Sequence, residues 1–171
     1  MARRTTRKIF PNTGASDEPV SVSVNLAEAQ ASASIVVPKG EYLIEFAEAK
    51  LFHAAASNTD NVALMPKIIG KAKPNIEGKN VRVRALCICD GKNGDWPKIT
   101  DNRKLLADIM DAAAVEFSEY DLTSDEVVHL VGRKVIMTFA DADVGKSGEM
   151  FNSIIAVETA DGDDDAVIEN D

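Results

Sequence analysis

The chain is poor in aromatic residues: Phe, Trp and Tyr make up 5% of its 171 residues, and there is one Trp. Any surface that works by ring stacking must therefore be small. Cysteine is scarce too. Cys87 and Cys89 are the only two, both within one short stretch, so no disulfide framework can be built from them, which agrees with a reducing compartment. No apolar run approaches the length of a membrane span. The basic start is not followed by an apolar h-region. The expectation is a soluble protein that is not exported, with one domain, a real core and tails.

Catalytic and metal signatures are also missing. Gly145-Lys146-Ser147 is not a Walker A loop, because Ala140 stands where its first glycine belongs. The acidic C-terminal stretch stops before the twelfth position of an EF-hand loop and has no flanking helices. Cys87, Cys89, His53 and His129 match zinc-finger spacing poorly. No Ser/His/Asp set or carboxylate pair stands out. Neither an enzyme, a cofactor nor a metal is expected.

What the chain does have is segregated charge. The net charge is −9, which taken alone argues against nucleic acid. Yet Arg3, Arg4, Arg7 and Lys8 open the chain without an acid among the first ten residues. Glu158, Asp161, Asp163, Asp164, Asp165, Glu169 and Asp171 close it without a base. Between Lys67 and Lys104, ten basic residues face four acidic ones: Glu77, Asp90, Asp95 and Asp101. This is a cationic window in an acidic protein.

Lys79–Asp90, KNVRVRALCICD, lies inside that window and alternates as a strand does. Val81, Val83, Ala85, Cys87 and Cys89 share one parity, which makes the cysteines core residues. Arg82 and Arg84 share the other. Tyr42, Ile44 and Phe46 alternate with Glu41 and Glu45 and predict an earlier strand after Pro38-Lys39-Gly40, although Leu43, Phe46, Ala47, Lys50 and Leu51 also fit a helical stripe. Ala54–Asn61 reads as a loop. Val62–Ile69, interrupted by Pro66, reads as an edge or bulged strand. Asp90–Asp95 is a turn cluster, and Trp96–Ile99 is a short extended piece. Leu105, Leu106, Ile109, Met110 and Ala113 mark a helix with Thr100 or Asp101 as its N-cap. Thr123 and Glu126 have capping-box spacing before a second, short helix that Gly132 ends. Val135, Met137 and Phe139 alternate in a further strand. Val144–Gly148 is a hairpin turn, and Met150–Val157 is the last strand. Val20, Val22 and Val24 could form a short edge strand within an otherwise flexible arm.

The order strand, strand, strand, helix, short helix, strand, strand is that of an OB-fold, a five-stranded partly open barrel. The expected fold class is mainly β with one or two helices. Residues 1–37 form a flexible or partly extended basic arm, residues 38–157 the OB-fold-like nucleic-acid-binding domain, and residues 158–171 a disordered acidic tail.

From Pro38 to about Val157 the chain resembles the OB-fold single-stranded-DNA-binding proteins encoded by bacteriophages. The resemblance is carried by PKGEYLIEFAEAK, EGKNVRVRALCI, DNRKLLADIMDAA, LVGRKVIMTF and NSIIAV. The acidic tail is similar to the partner-docking tails of such proteins, but it ends Ile168-Glu169-Asn170-Asp171 without a terminal aromatic. The stretch from Ala54 to Pro74 departs from the pattern. The resemblance implies largely sequence-independent binding of single-stranded DNA in phage replication or recombination, in the cytoplasm of the infected host cell. The partners it implies are single-stranded DNA, replication or recombination proteins reached through the tail, and optionally further copies of the chain, with no membrane.

Such binding needs cations along the phosphates and flat groups under the bases. Arg82 and Arg84 supply the first. Lys71, Lys73, Lys79, Lys98 and Arg103 are near in sequence and extend it. Trp96 is the leading stacking candidate, ahead of Tyr42, Phe52 and Phe151. Each has a plainer alternative: the arginines solvate an outer face, and Trp96 packs in the core or at its rim. The competing function is a non-enzymatic structural or host-interaction protein, such as a virion component or an inhibitor.

Overall fold

The computed structural model describes residues 33–70, 75–92, 94, 97–118 and 121–160. Val20, Val22 and Val24 of the arm lie outside these, as do Lys71, Lys73, Trp96 and the acidic tail from residue 161.

The described residues make a mainly β structure with two helices. In chain order they are β1 (Ser34–Ile35), β2 (Gly40–Ala54), β3 (Thr59–Ile68), β4 (Asn80–Val81), β5 (Leu86–Asp90), α1 (Pro97–Ala112), α2 (Ser124–Val128), β6 (Lys134–Phe139), β7 (Asp143–Val144), β8 (Met150–Phe151) and β9 (Ile154–Thr159). The main sheet is mixed. It runs β1-β4-β3-β2-β6-β9, with β5 also on β3, while β7 and β8 form a separate hairpin. Among the described residues it is not a closed barrel. One isolated parallel bridge, Val83 to Asn152, links the stretch between β4 and β5 to the stretch before β9.

The Tyr42–Phe46 alternation prevails over its helical reading, and β2 is the spine of the sheet. Gly40–Glu45 pairs with β6, and Ile44–Ala54 pairs with β3. At the changeover the register shifts between Phe46 and Glu48, and the buried parity shifts with it. Ile44 and Phe46 are buried before the bulge, Ala49 after it. Pro66 stands opposite Phe46. The Phe46 N–H donates to the Arg133 carbonyl (3.1 Å) and its own carbonyl accepts from Gly132 N (2.9 Å). The ladder therefore never asks Pro66 for the donor it lacks. β3 is therefore neither an edge nor itself bulged: the extra residue at the shift is Ala47 of β2, β3 alternates regularly through Pro66, and β4 and β5 pair along its other side.

Several sequence expectations change here. The expected loop from Ala54 to Asn61 is mostly hairpin: β2 continues through Ala54, β3 starts at Thr59, and the turn between them has Asn58 at φ 53°. Ser57 and Asn58 in the turn are exposed, while Thr59, Asp60 and Asn61 are half-buried where β5 pairs along β3. The expected single strand Lys79–Asp90 is broken between Val81 and Leu86. The break reverses the parity, so Val81 and Leu86 are buried, while Cys87 is half-buried and Cys89 exposed. Cys89 is thus not a core residue. The last strand is likewise split at the buried Asn152. Helix α1 starts at Pro97 rather than at Thr100 or Asp101, because proline is preorganised for a first helical turn that needs no N–H from it. Pro97–Ile99 are therefore helical rather than extended, and Trp96 lies outside the described residues. At the N-terminal boundary, β1 pairs in parallel with β4, and Val37 is buried, so packed structure begins before Pro38. At the other end β9 runs to Thr159 and takes in Glu158.

Other readings match. Thr123 caps α2: its hydroxyl oxygen accepts from Glu126 N (3.3 Å), and the Glu126 carboxylate accepts from Thr123 N (2.6 Å). Gly132 has φ 78°. Val135, Met137 and Phe139 are fully buried. They face Ile44, Phe46, Ile109 and Leu130 in one core. Helix α1 packs on both β5 and β9, and α2 packs on β2. No helix among the described residues is long and apolar enough to cross a membrane.

Candidate nucleic-acid interface

Arg82 and Arg84 lie in the break between β4 and β5. That break is held by partners distant in sequence. Arg82 N donates to the Ile35 carbonyl (2.7 Å), and the Arg82 carbonyl accepts from Asn152 N (2.9 Å). Asn152 is 1% exposed and its side chain is fully used. Its Oδ1 accepts from Val37 N (2.8 Å), and its Nδ2 donates to the carbonyls of Val37 (2.8 Å) and Ala140 (2.9 Å). One buried amide thus joins the entry to β2, the exit of β6 and the arginine-bearing segment.

The two arginines meet different partners. Arg82 turns back onto β1: its Nε donates to Ser34 Oγ (3.2 Å) and its Nη2 to the Ser34 carbonyl (3.1 Å). It is partly buried and works as a structural tie. Arg84 turns to the β7–β8 hairpin. Its Cζ lies 5.5 Å from the centroid of the Phe151 ring, within cation–π range. Its Nη2 is 3.8 Å from Asp143 Oδ2, with both side chains largely exposed, so the ion pair is weak and exchangeable. The hairpin is shaped for this contact. A Cβ on Gly145 would come within 3.2 Å of Phe151 Cε2, so the glycine makes room for the ring. Gly145 N donates to the Glu149 carbonyl (2.7 Å), and Gly148 closes the turn at φ 82°. Lys146 sits exposed in the turn, and the cross-strand pair Val144 and Met150 is exposed as well.

Among the described residues, the remaining candidates sit on other elements than Arg84. Lys79 is half-buried, and its carbonyl accepts from Ile68 N (3.0 Å) in the β3–β4 connection. Lys98 is exposed in the first turn of α1. Arg103 donates from Nε to the Ile88 carbonyl (2.6 Å). It lines a cleft of about 1030 Å³ between α1 and the β2–β3–β5 ribbon, whose lining includes neither Arg82 nor Arg84. Lys71, Lys73 and Trp96 fall outside the described residues. Of the lesser stacking candidates, Tyr42 is excluded, because it is buried with its hydroxyl on the Pro38 carbonyl (2.9 Å) and its ring against Phe139. That burial also pushes its pKa up. Phe52 lines the same cleft as Arg103.

Sequence reasoning undervalued Phe151. Its signal was present in the glycine-flanked turn Gly145–Gly148, which ends one short strand and starts another. What no pattern indicated was that the turn would fold onto Arg84. Among the described residues, no three His, Cys, Asp or Glu side chains gather as a metal site requires. Burial raises the Cys87 thiol pKa, with the charges of Asp90, Cys89 and Asp60 adding to it. A scan against models of known protein families finds none that matches the chain, and a search of curated proteins finds no match.

Proposed function

We propose that this chain is a single-stranded-DNA-binding protein of phage replication or recombination, largely indifferent to sequence and without a catalytic step. It would act in the cytoplasm of the infected cell. The observation that carries the reading is Arg84 resting on Phe151 at the β7–β8 hairpin. A cation and a ring are thereby presented together on an exposed surface, which is the pair that phosphate and base require. An OB-fold-like architecture agrees with the pairing: β2 joins both β3 and β6, β6 joins β9, and the β4–β5 stretch meets Asn152 in parallel. With so few aromatics, phosphate contacts dominate the affinity.

Fluorescence anisotropy with labelled oligonucleotides across a salt series tests this. Binding should fall steeply with salt, and Arg84→Ala should reduce the slope by about 0.7, one phosphate's share on a single strand. Absence of binding at about 50 mM salt, with residues 161–171 removed, would overturn the proposal. The truncation begins at residue 161 because an earlier cut removes Glu158 and Thr159 from β9.

A structural or host-interaction role is the second reading. It draws on the same hairpin, where exposed Asp141, Asp143 and Glu149 outnumber Lys146 and the exposed Val144 and Met150 offer apolar contact. A stoichiometric partner retained from host extract after nuclease treatment would favour it.

A further inference from the structure

The cleft that holds Arg103 differs in chemistry from the Arg84 surface. Its apolar floor includes the half-buried Phe52, Ile88, Phe117 and Leu122, brought together from β2, β5 and the turns after α1. Its walls are acidic: Asp60, Asp111 and Asp121 stand around it. Asp60 is already paired with His53 Nδ1 at 2.8 Å, and Asp111 and Asp121 are exposed. Among the described residues that line it, one arginine, Arg103, stands against these three carboxylates, and its Nε is turned onto the Ile88 carbonyl. An open groove with an apolar floor and a negative rim repels a phosphate chain. It suits a peptide that joins a run of cations to large apolar side chains.

This chain contains such a peptide. Arg3-Arg4-Thr5-Thr6-Arg7-Lys8-Ile9-Phe10 has four cations, no acid and two large apolar residues at its end. We infer that the cleft between α1 and the β2–β3–β5 ribbon is the docking site of this chain's own residues 3–10. Ile9 and Phe10 go to the apolar floor, and the cations meet Asp60, Asp111 and Asp121. Reach does not limit the contact. From Phe10 to Ala33 a fully extended chain spans about 75 Å, more than the diameter of a domain this size. Tethering favours the segment of the same molecule over that of another, because the local concentration is set by the linker rather than by the solution. The inference stands independently of DNA binding.

Cys89 lines the cleft and is exposed, so it reports occupancy. The experiment uses the full chain carrying Cys87→Ala and follows alkylation of Cys89 by iodoacetamide, a neutral reagent, by intact mass. Reversing the arm with R3E, R4E, R7E and K8E together should accelerate the reaction roughly tenfold at low salt, the factor by which a tethered segment's local concentration exceeds its dissociation constant. High salt should accelerate the parent similarly and leave the reversed-arm protein almost unchanged. Adding D111K and D121K to the reversed arm should restore protection; both positions are exposed, so the core is untouched. Equal rates in parent and reversed-arm proteins would overturn the inference. So would failure of the charge swap to restore protection. Protection that grows with protein concentration would assign the segment to a second copy and overturn the own-chain contact.

Discussion

Asn152→Ala is the substitution with the most to say about how this surface is held. The wild-type amide makes three side-chain hydrogen bonds, to Val37 N, Val37 O and Ala140 O. Removing it leaves those backbone groups without a partner in a site where residue 152 is 1% exposed. At about 1 kcal/mol net for each neutral bond, the cost is about 3 kcal/mol. For a domain of this size that corresponds to a fall of roughly 12 °C in Tm. Urea denaturation followed by circular dichroism measures it, with an unchanged m-value as the check on two-state unfolding. A loss below about 1 kcal/mol would refute the reasoning, since the orphaned groups must then find other partners at little cost. Asn152→Asp adds a sign test. A carboxylate there would face two carbonyl oxygens in a buried site, so its folded pKa would rise above its unfolded value. The folded state would then bind more protons, and stability would fall as pH rises through the interval between the two values. Asn152→Asp should therefore lie close to wild type near pH 4 and well below it near pH 7, these being approximate bounds drawn from the usual aspartate pKa. The opposite trend would mean that the carboxylate is solvated there.

Three further outcomes are expected. Phe151→Ala removes the ring under Arg84 and should cost about 1–3 kcal/mol of single-strand affinity with little change in salt slope, measured by anisotropy; a change in slope alone would count against stacking. The Glu126 pKa is held below the ordinary carboxylate value, first by the Thr123 backbone N–H, then by the Thr123 hydroxyl and by Ser118 N. Its contribution is present above the unfolded pKa and lost as pH falls through the lowered folded value, so the difference in Tm between wild type and Glu126→Gln should shrink on acidification; a pH-independent difference would count against the capping box as its source. Removing residues 161–171, which hold six of the acids, should tighten single-strand binding at low salt and leave it unchanged at high salt, and equal affinities at low salt would exclude competition by the tail.

Patterns that concern nearest neighbours were legible. The alternation Val135, Met137, Phe139 became a fully buried strand face, because strand parity is a property of the backbone itself. Thr123 and Glu126 became a capping box because both partners lie within one turn. Lys79–Asp90 shows the opposite case. Its alternation is as regular as any in the chain, yet residues 82–85 leave the ladder. Their backbone partners are Ile35 and Asn152, far away in sequence on both sides. A period count cannot register a hydrogen bond to a residue seventy positions away. The same break moved Cys89 to the surface and sent Arg82 and Arg84 to separate partners.

Sequence alone therefore determined the mainly β character, the helices and the segregation of charge, since each follows from local backbone preference or from counting. Tertiary structure decided which cations are available. Arg82 is consumed by Ser34, Arg103 sits over an acidic cleft, and Arg84 is left on Phe151 at the surface. The physical reason is that a guanidinium's role depends on whichever carbonyl, carboxylate or ring the fold brings within a few ångströms, and in two of these three cases that partner lies tens of residues away along the chain.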